Sequence, residues 1–388
     1  MEEVDFVLNV KKRIDSHIHY ALPLEPETLV SFMDKNGIDK ANMVLVPSRS
    51  RLTCVPDALM AKAKYPDRFF VFTSFDVSEY FRHGKEIGKY LAKFVDNMRH
   101  CGCDGLKIIE GKPSMRKFMG AIPNFDEPCW EPLWEYLEET QFPVLWHLND
   151  PETCWDPENA PRHIRMAGEI YDDTYVNNEE QYRQMEAILE RHPKIKFIFA
   201  HMYFMSAQLP RLSALLDTYP NMMVDITPGL EIYINLSKNT EEARVFFEKY
   251  QDRILYGTDI GARCVLADNA ENFNEEECIA RMDLIDGLFQ ADTHRIMRED
   301  GRYLINTDDF VQQGFSLSEE ALNKIYWKNF EEYVAATPAE INPRLIIKEC
   351  RRIKTTLKIM SFIDKNMTPD ISVAKDAIAF FNKIKKGR

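Results

Sequence analysis

Long apolar runs are missing from this chain of 388 residues. The longest stretches, such as Asn42-Met43-Val44-Leu45-Val46, fall far short of the ~20 residues that span a bilayer, and they suit buried strands instead. No membrane partner is therefore expected. The opening Met1-Glu2-Glu3-Val4-Asp5 lacks a basic stretch followed by an apolar one, so no secretory leader is visible and a cytoplasmic location is the expectation. Cysteine is scarce. Eight in the whole chain are too few for a disulfide scaffold and read as reduced thiols. Cys101-Gly102-Cys103 has no second cysteine or histidine pair at zinc-site spacing and reads as a loop. An excess of basic residues is also absent: 49 Lys and Arg against 62 Asp and Glu leave a net charge of −13. That balance argues against nucleic acid as the partner and still allows a local basic pocket for an acidic small molecule. No glycine-rich GxGxxG follows any apolar run, which argues against a dinucleotide-binding doubly wound sheet. There is no Gly/Ser linker, no low-complexity segment and no repeat larger than a strand–helix unit.

What the chain does contain is a globular balance of 45% hydrophobic and 29% charged residues. Short runs rich in Val, Ile, Leu and Phe recur at 13–16, 42–46, 69–75, 105–109, 143–148, 196–202, 222–227 and 253–259. They show little polar alternation, the mark of strands buried on both faces of a parallel sheet. Helical patterns fill the gaps. Residues 26–35 begin with Pro and close at Gly37, and 85–98 place Ile87, Leu91, Phe94 and Met98 at helical spacing. Asn178 and Thr240 are candidate caps for 179–190 and 241–250, and 128–139 and 207–216 are further helices. Eight such units in this length predict a (β/α)₈ barrel over 12–335. A lysine-rich helical extension, 336–388, is expected to dock on the barrel, and no further strand is expected after 260. The polar insertion 149–177 follows the fifth strand and is a candidate lid.

Nine histidines are present, and four stand at predicted strand C-termini: His17 and His19 on the first strand, His147 on the fifth and His201 on the sixth. Asp259 ends the eighth. Positions i and i+2 of a strand share a face, so His17 and His19 can hold one ion together at the barrel mouth. Neutral imidazoles with one carboxylate suit a divalent ion with a coordination position left for water. Such an ion brings the pKa of its water to ~7. His192, before Pro193, reads as a surface residue, and His83, His100, His163 and His294 lie in polar stretches.

His17-Ile18-His19, Leu145-Trp146-His147, Phe199-Ala200-His201 and Tyr256-Gly257-Thr258-Asp259 resemble the signature of the amidohydrolase superfamily. Arg191-His192-Pro193 adds a resemblance to the amidohydrolase-related family that includes aminocarboxymuconate-semialdehyde decarboxylase-like enzymes. The resemblance implies metal ligation by His17, His19, His147 and Asp259, with Asp259 and His201 as the acid–base residues. Zinc is the first expectation and manganese the alternative, with one ion rather than two. Lys107, on the fourth strand, matches the lysine that bridges two ions when carboxylated in binuclear relatives; here it is expected in an anion-binding role. Glu110 is a nearby carboxylate without an assigned role. Arg49, in Ser48-Arg49-Ser50-Arg51, matches a loop whose arginine binds a substrate carboxylate in decarboxylase-like relatives. Tyr20, Asn149, Trp155 and Tyr203 flank the ligands and are candidates for shaping the pocket. The expected activity is hydrolysis of a small, carboxylate-bearing substrate through a metal-activated water. The alternative is non-oxidative decarboxylation of an aromatic or unsaturated acid. A homodimer is compatible with the resemblance.

Overall fold

A computed structural model describes residues 10–76, 86–120, 122–160, 168–262, 272–291, 312–363 and 368–387, with a few isolated positions between them. The eight predicted runs form eight parallel barrel strands. These are β1 (Ile14–His19), β2 (Lys40–Val44), β3 (Phe69–Ser74), β4 (Gly105–Gly111), β5 (Val144–Leu148), β6 (Phe197–Phe199), β7 (Met222–Asp225) and β8. The last is split into Ile254–Leu255 and Ile260–Gly261. Its first part pairs with β7 and its second with β1, which joins the two edges of the sheet. The Ser16 amide donates to the Tyr256 carbonyl (2.9 Å) and the Asp259 amide to the His17 carbonyl (2.7 Å), so the seam continues between the two parts.

Side-chain parity explains what reaches the mouth. Phe70 and Phe72, Leu145, Ile198 and Met223 point into the barrel with Ile14, Val44 and Leu255. Their neighbours Phe69, Val71, Val144, Trp146, Phe197, Phe199, Met222 and Val224 face the helical layer. Lys107, His147 and Asp225 share the inward parity of their strands. Strand β1 starts with Ile14 inward, yet it must end with odd-numbered histidines inward. A register shift against β2 between Asp15 and Ile18 makes that switch, the work of a β-bulge.

The helices follow the expected pattern, with small displacements. They include α1 (Pro26–Lys35), α2 (Val55–Lys64), α3 (Ile87–Cys101), α4 (Glu131–Thr140), α5 (Asn178–Arg191), α6 (Leu209–Thr218) and α7 (Thr240–Lys249). Capping falls one residue earlier than predicted, on Asn177 and Asn239, whose side chains accept from the Glu179 and Glu242 amides. The helical stretch from Glu319 to Tyr333 is interrupted by a π turn at Lys324–Lys328. A short antiparallel pair, Thr293–His294 with Gln312–Gln313, corrects the expectation of no strand after 260.

His192 is not on the surface. It is buried against α4, with Nε2 2.7 Å from Glu131 Oε1 and Nδ1 3.1 Å from Glu138 Oε2. The turn from α5 into β6 packs back on the preceding helix, and polarity alone does not reveal that. His83 and His163 lie outside the described residues, as does the side chain of His294. His100 is exposed on α3.

After α8 (Glu275–Gln290), the C-terminal α9 (Pro343–Ile363) and α10 (Ser372–Gly387) pack into the same core as the barrel helices through Ile346, Ile353, Leu357, Ala377 and Phe381. They also reach the rim. Arg352 bonds the buried Asp76 after β3 (2.7 Å), and Asp370 accepts from Arg51 Nε (2.9 Å).

Candidate metal centre

At the C-terminal mouth of the barrel, His17, His19 and Asp259 each offer an atom within 4.8 Å of the others; they are the one such group of three among the described residues. His17 Nδ1 is 2.8 Å from Asp225 Oδ2 at the end of β7, and His19 Nδ1 is 3.0 Å from the Val44 carbonyl at the end of β2. A carbonyl only accepts, so His19 Nδ1 carries a hydrogen, and in the neutral ring Nε2 bears a lone pair. That Nε2 lies 2.9 Å from Asp259 Oδ1. With the ring neutral, two acceptors that close suit a shared cation. His17 Nε2 is 3.8 Å from the same oxygen and 3.2 Å from Lys107 Nζ. The donor set therefore fits a divalent ion such as zinc or manganese, with Asp225 and Val44 fixing the tautomers from behind.

Burial, and next the Lys107 ammonium, push the His17 imidazole well below its usual range. Burial also lowers His147, and it holds His201 well below its usual range. Neutral rings are what metal ligation requires.

His147 and His201 stand beside this group, their ring centroids 5.0 Å apart and His201 5.8 Å from His17. Strand parity would send His201 outward. The chain instead enters a left-handed turn, with positive φ from His201 to Phe204, and the ring comes in. Its Nδ1 is held by Thr227, 3.0 Å from Oγ1 and 3.2 Å from the carbonyl. Asp259 also has positive φ, and its Oδ2 is 3.4 Å from Arg281 Nη1. Lys107 Nζ, buried, is 3.2 Å from His17 Nε2.

The other candidates are placed differently. Tyr20 is buried and lines a cavity of about 310 Å³ with Asp57, Met60 and Phe380, and none of the four rim histidines is in its lining. Arg49 is exposed at the turn of the short hairpin Pro47–Ser48 and Leu52–Thr53. Asn149 is buried at positive φ, accepting from Gln181 (2.7 Å) and donating to the Asn178 carbonyl (3.1 Å). Trp155 is half-buried against Tyr171, 4.9 Å between centroids. Tyr203 is buried beneath the rim against Phe199 and Tyr182. Glu110 is buried, and burial pushes its carboxyl up to about 7.

Asp225, Thr227, Asp150 and Arg281 were not among the candidates. The first two end the predicted seventh strand, and an acid at a barrel-strand end was an available signal. Arg281 sits on α8, and nothing in its local sequence marks it.

An amidohydrolase family model matches residues 58–331. No curated protein matches the chain at the level of sequence. Among solved structures, an amidohydrolase II is 15% identical, covering 83% of this chain and 99% of its own, with a TM-score of 0.50. A 2,6-dihydroxybenzoate decarboxylase from Rhizobium is 16% identical over 83% of this chain and 98% of its own, TM-score 0.49. A 5-carboxyvanillate decarboxylase from Novosphingobium aromaticivorans, complexed with manganese, is 16% identical over 84% and 97%, TM-score 0.47. With the family model matching well over half of the chain, though beginning after His17 and His19, this chain belongs to the amidohydrolase family.

Proposed function

We propose that this enzyme is a metal-dependent hydrolase of a small, carboxylate-bearing substrate. The observation that carries the reading is the convergence of His17, His19 and Asp259, whose potential ligand atoms lie within 4.8 Å of one another at the barrel mouth. When bound, one divalent ion would lower the pKa of a water to ~7 and polarise a carbonyl. The chain's own residues do the rest. His17, His19 and Asp259 hold the ion, with His147 as the fourth ligand. Asp259, steadied by Arg281, takes the proton of the attacking water. His201 has its Nδ1 committed to Thr227, so Nε2 is the atom that would receive that proton and pass it to the leaving group. Lys107 contributes a buried positive charge, and Arg49 a guanidinium on the neighbouring hairpin, for a substrate carboxylate.

The test is turnover of a panel of lactones, amides and aromatic acids in ¹⁸O-labelled water. Label in the product with no carbon dioxide released supports hydrolysis. Carbon dioxide without solvent oxygen in the product would establish a carboxy-lyase instead.

A further inference from the structure

The insertion after β5 is tied to His147 through one carboxylate. Asp150 Oδ1 lies 3.3 Å from His147 Nε2 and accepts from Lys112 Nζ at 2.8 Å. Its Oδ2 accepts from Tyr171 Oη at 2.5 Å. Lys112 also reaches Glu169, at 2.8 Å. Tyr171 and Glu169 both belong to the insertion, and Tyr171 is part of a small core of its own with Cys154, Ala160 and Ile164. The aromatic rings of Trp155 and Tyr175 pack on it, at 4.9 and 4.6 Å between centroids. Among the described residues of the insertion, Tyr171 and Asp150 form the polar link to His147.

Asp150 is 2% exposed, so its charge is answered by protein groups rather than by water. It is ion-paired with Lys112 and accepts from Tyr171 Oη, so it faces His147 as an acceptor. In the neutral ring Nε2 then carries the hydrogen and Nδ1 bears the lone pair. The hydroxyl of Tyr171 and the ammonium of Lys112 keep the carboxylate aimed at the ring.

We propose that Asp150 and Tyr171 are positioning residues through which the insertion sets the nitrogen and ring orientation that His147 offers to the metal. The proposal rests on the metal-site reading above. Coupling of this kind is reciprocal: if the insertion strengthens metal binding, metal binding strengthens the insertion's hold on the barrel. Tyr171 reaches His147 through Asp150, so their effects on that ring are not independent.

The experiment is a titration of metal-free full-length protein with Co²⁺, followed by visible absorption, for the wild type, Asp150→Asn, Tyr171→Phe and the double variant. Asp150→Asn is expected to weaken Co²⁺ binding by about 10–100-fold. Tyr171→Phe should weaken it less, and the double variant should be no worse than Asp150→Asn alone. Amide exchange over 168–177 should slow on Co²⁺ addition in the wild type and fail to slow in Asp150→Asn. Tyr171→Phe keeps the ring that packs in the small core, so it remains informative where Asp150→Asn folds poorly. Variants that melt earlier but bind Co²⁺ as the wild type does would overturn the proposal and leave a merely structural contact. Wild type that takes up no Co²⁺ would overturn the metal reading itself, and this proposal with it.

Discussion

The Nε2 of His19 stands 2.9 Å from the Oδ1 of Asp259. The two residues come from opposite ends of the barrel sequence and meet because β8 returns to pair with β1. The His19 Nδ1 hydrogen goes to the Val44 carbonyl, which leaves Nε2 facing the carboxylate, as a lone pair when the ring is neutral. A proton or a divalent ion satisfies the pair, and His17 beside it supplies a third donor atom for an ion.

Purified protein is accordingly expected to carry about one equivalent of divalent ion per chain. Replacing His17 and His19 together with Ala should abolish uptake, measured by plasma emission. A ligand held at 100 times its Kd stabilises by ~2.7 kcal/mol, so chelation should lower the wild-type Tm and leave the double variant unmoved. Full occupancy in the variant would refute the ligand set. Two ions bridged by a carboxylated Lys107 would refute the single-ion count.

Asp225 should matter without touching the ion. Its Oδ2 orients His17, and its Oδ1 accepts from the His201 amide at 2.8 Å and from Thr227 Oγ1 at 2.5 Å. Asp225→Ala frees both rings, and metal affinity should fall by about 10–100-fold in a competition titration with a chromogenic chelator. An unchanged affinity would mean that packing alone holds His17.

His201 is expected to act on the substrate rather than the ion. His201→Ala should leave metal content almost unchanged and lower kcat by ~10²–10⁴-fold, the contribution of a positioned acid–base. Metal analysis and steady-state kinetics on one preparation decide the matter. Loss of the ion would move His201 into the ligand set.

The Asp57 carboxyl sits under the rim. It accepts from the Leu22 amide at 3.0 Å and from Arg51 Nη1 at 3.1 Å. Burial pushes it up to about 6, with the Leu22 amide and Arg51 pulling the other way. The folded protein therefore holds this proton more tightly than the unfolded chain, where Asp titrates near ~4. The stability it contributes is fully present below pH ~4 and is lost as pH rises through the folded value. Asp57→Asn should gain on the wild type across that rise, by ~1–3 kcal/mol at pH ~7. Urea unfolding of both proteins along a pH series checks it, and a constant difference would refute the shift.

The barrel was legible because its signal is local and repeated. Strands buried on both faces must be apolar along their length, and the helices between them must show one apolar stripe. Runs such as 69–75 and 222–227 carried that signal with little ambiguity, and their observed counterparts, Phe69–Ser74 and Met222–Asp225, differ only at the ends. His17 and His19 were legible as a pair for the same reason, since two residues apart on a strand means one face. His192 misled because its partners, Glu131 and Glu138, lie on a helix that is distant in sequence.

The sequence by itself determined the strand–helix order, the family and the cluster of histidines and one aspartate at strand ends. These depend on periodicity and residue type, which are properties of short segments. Only the tertiary structure decided which atoms face one another. The bulge in β1 turned His17 and His19 inward, and the left-handed turn at His201 reversed the direction its strand would have given it. Val44, Asp225 and Asp150 chose the nitrogen each of three rings presents. Tyr20 lines a cavity whose lining includes none of the four rim histidines, and Arg49 is exposed at the turn of a short hairpin. A tautomer is set by the hydrogen bond on the far side of the ring, and that partner comes from another strand or loop, so no local pattern encodes it.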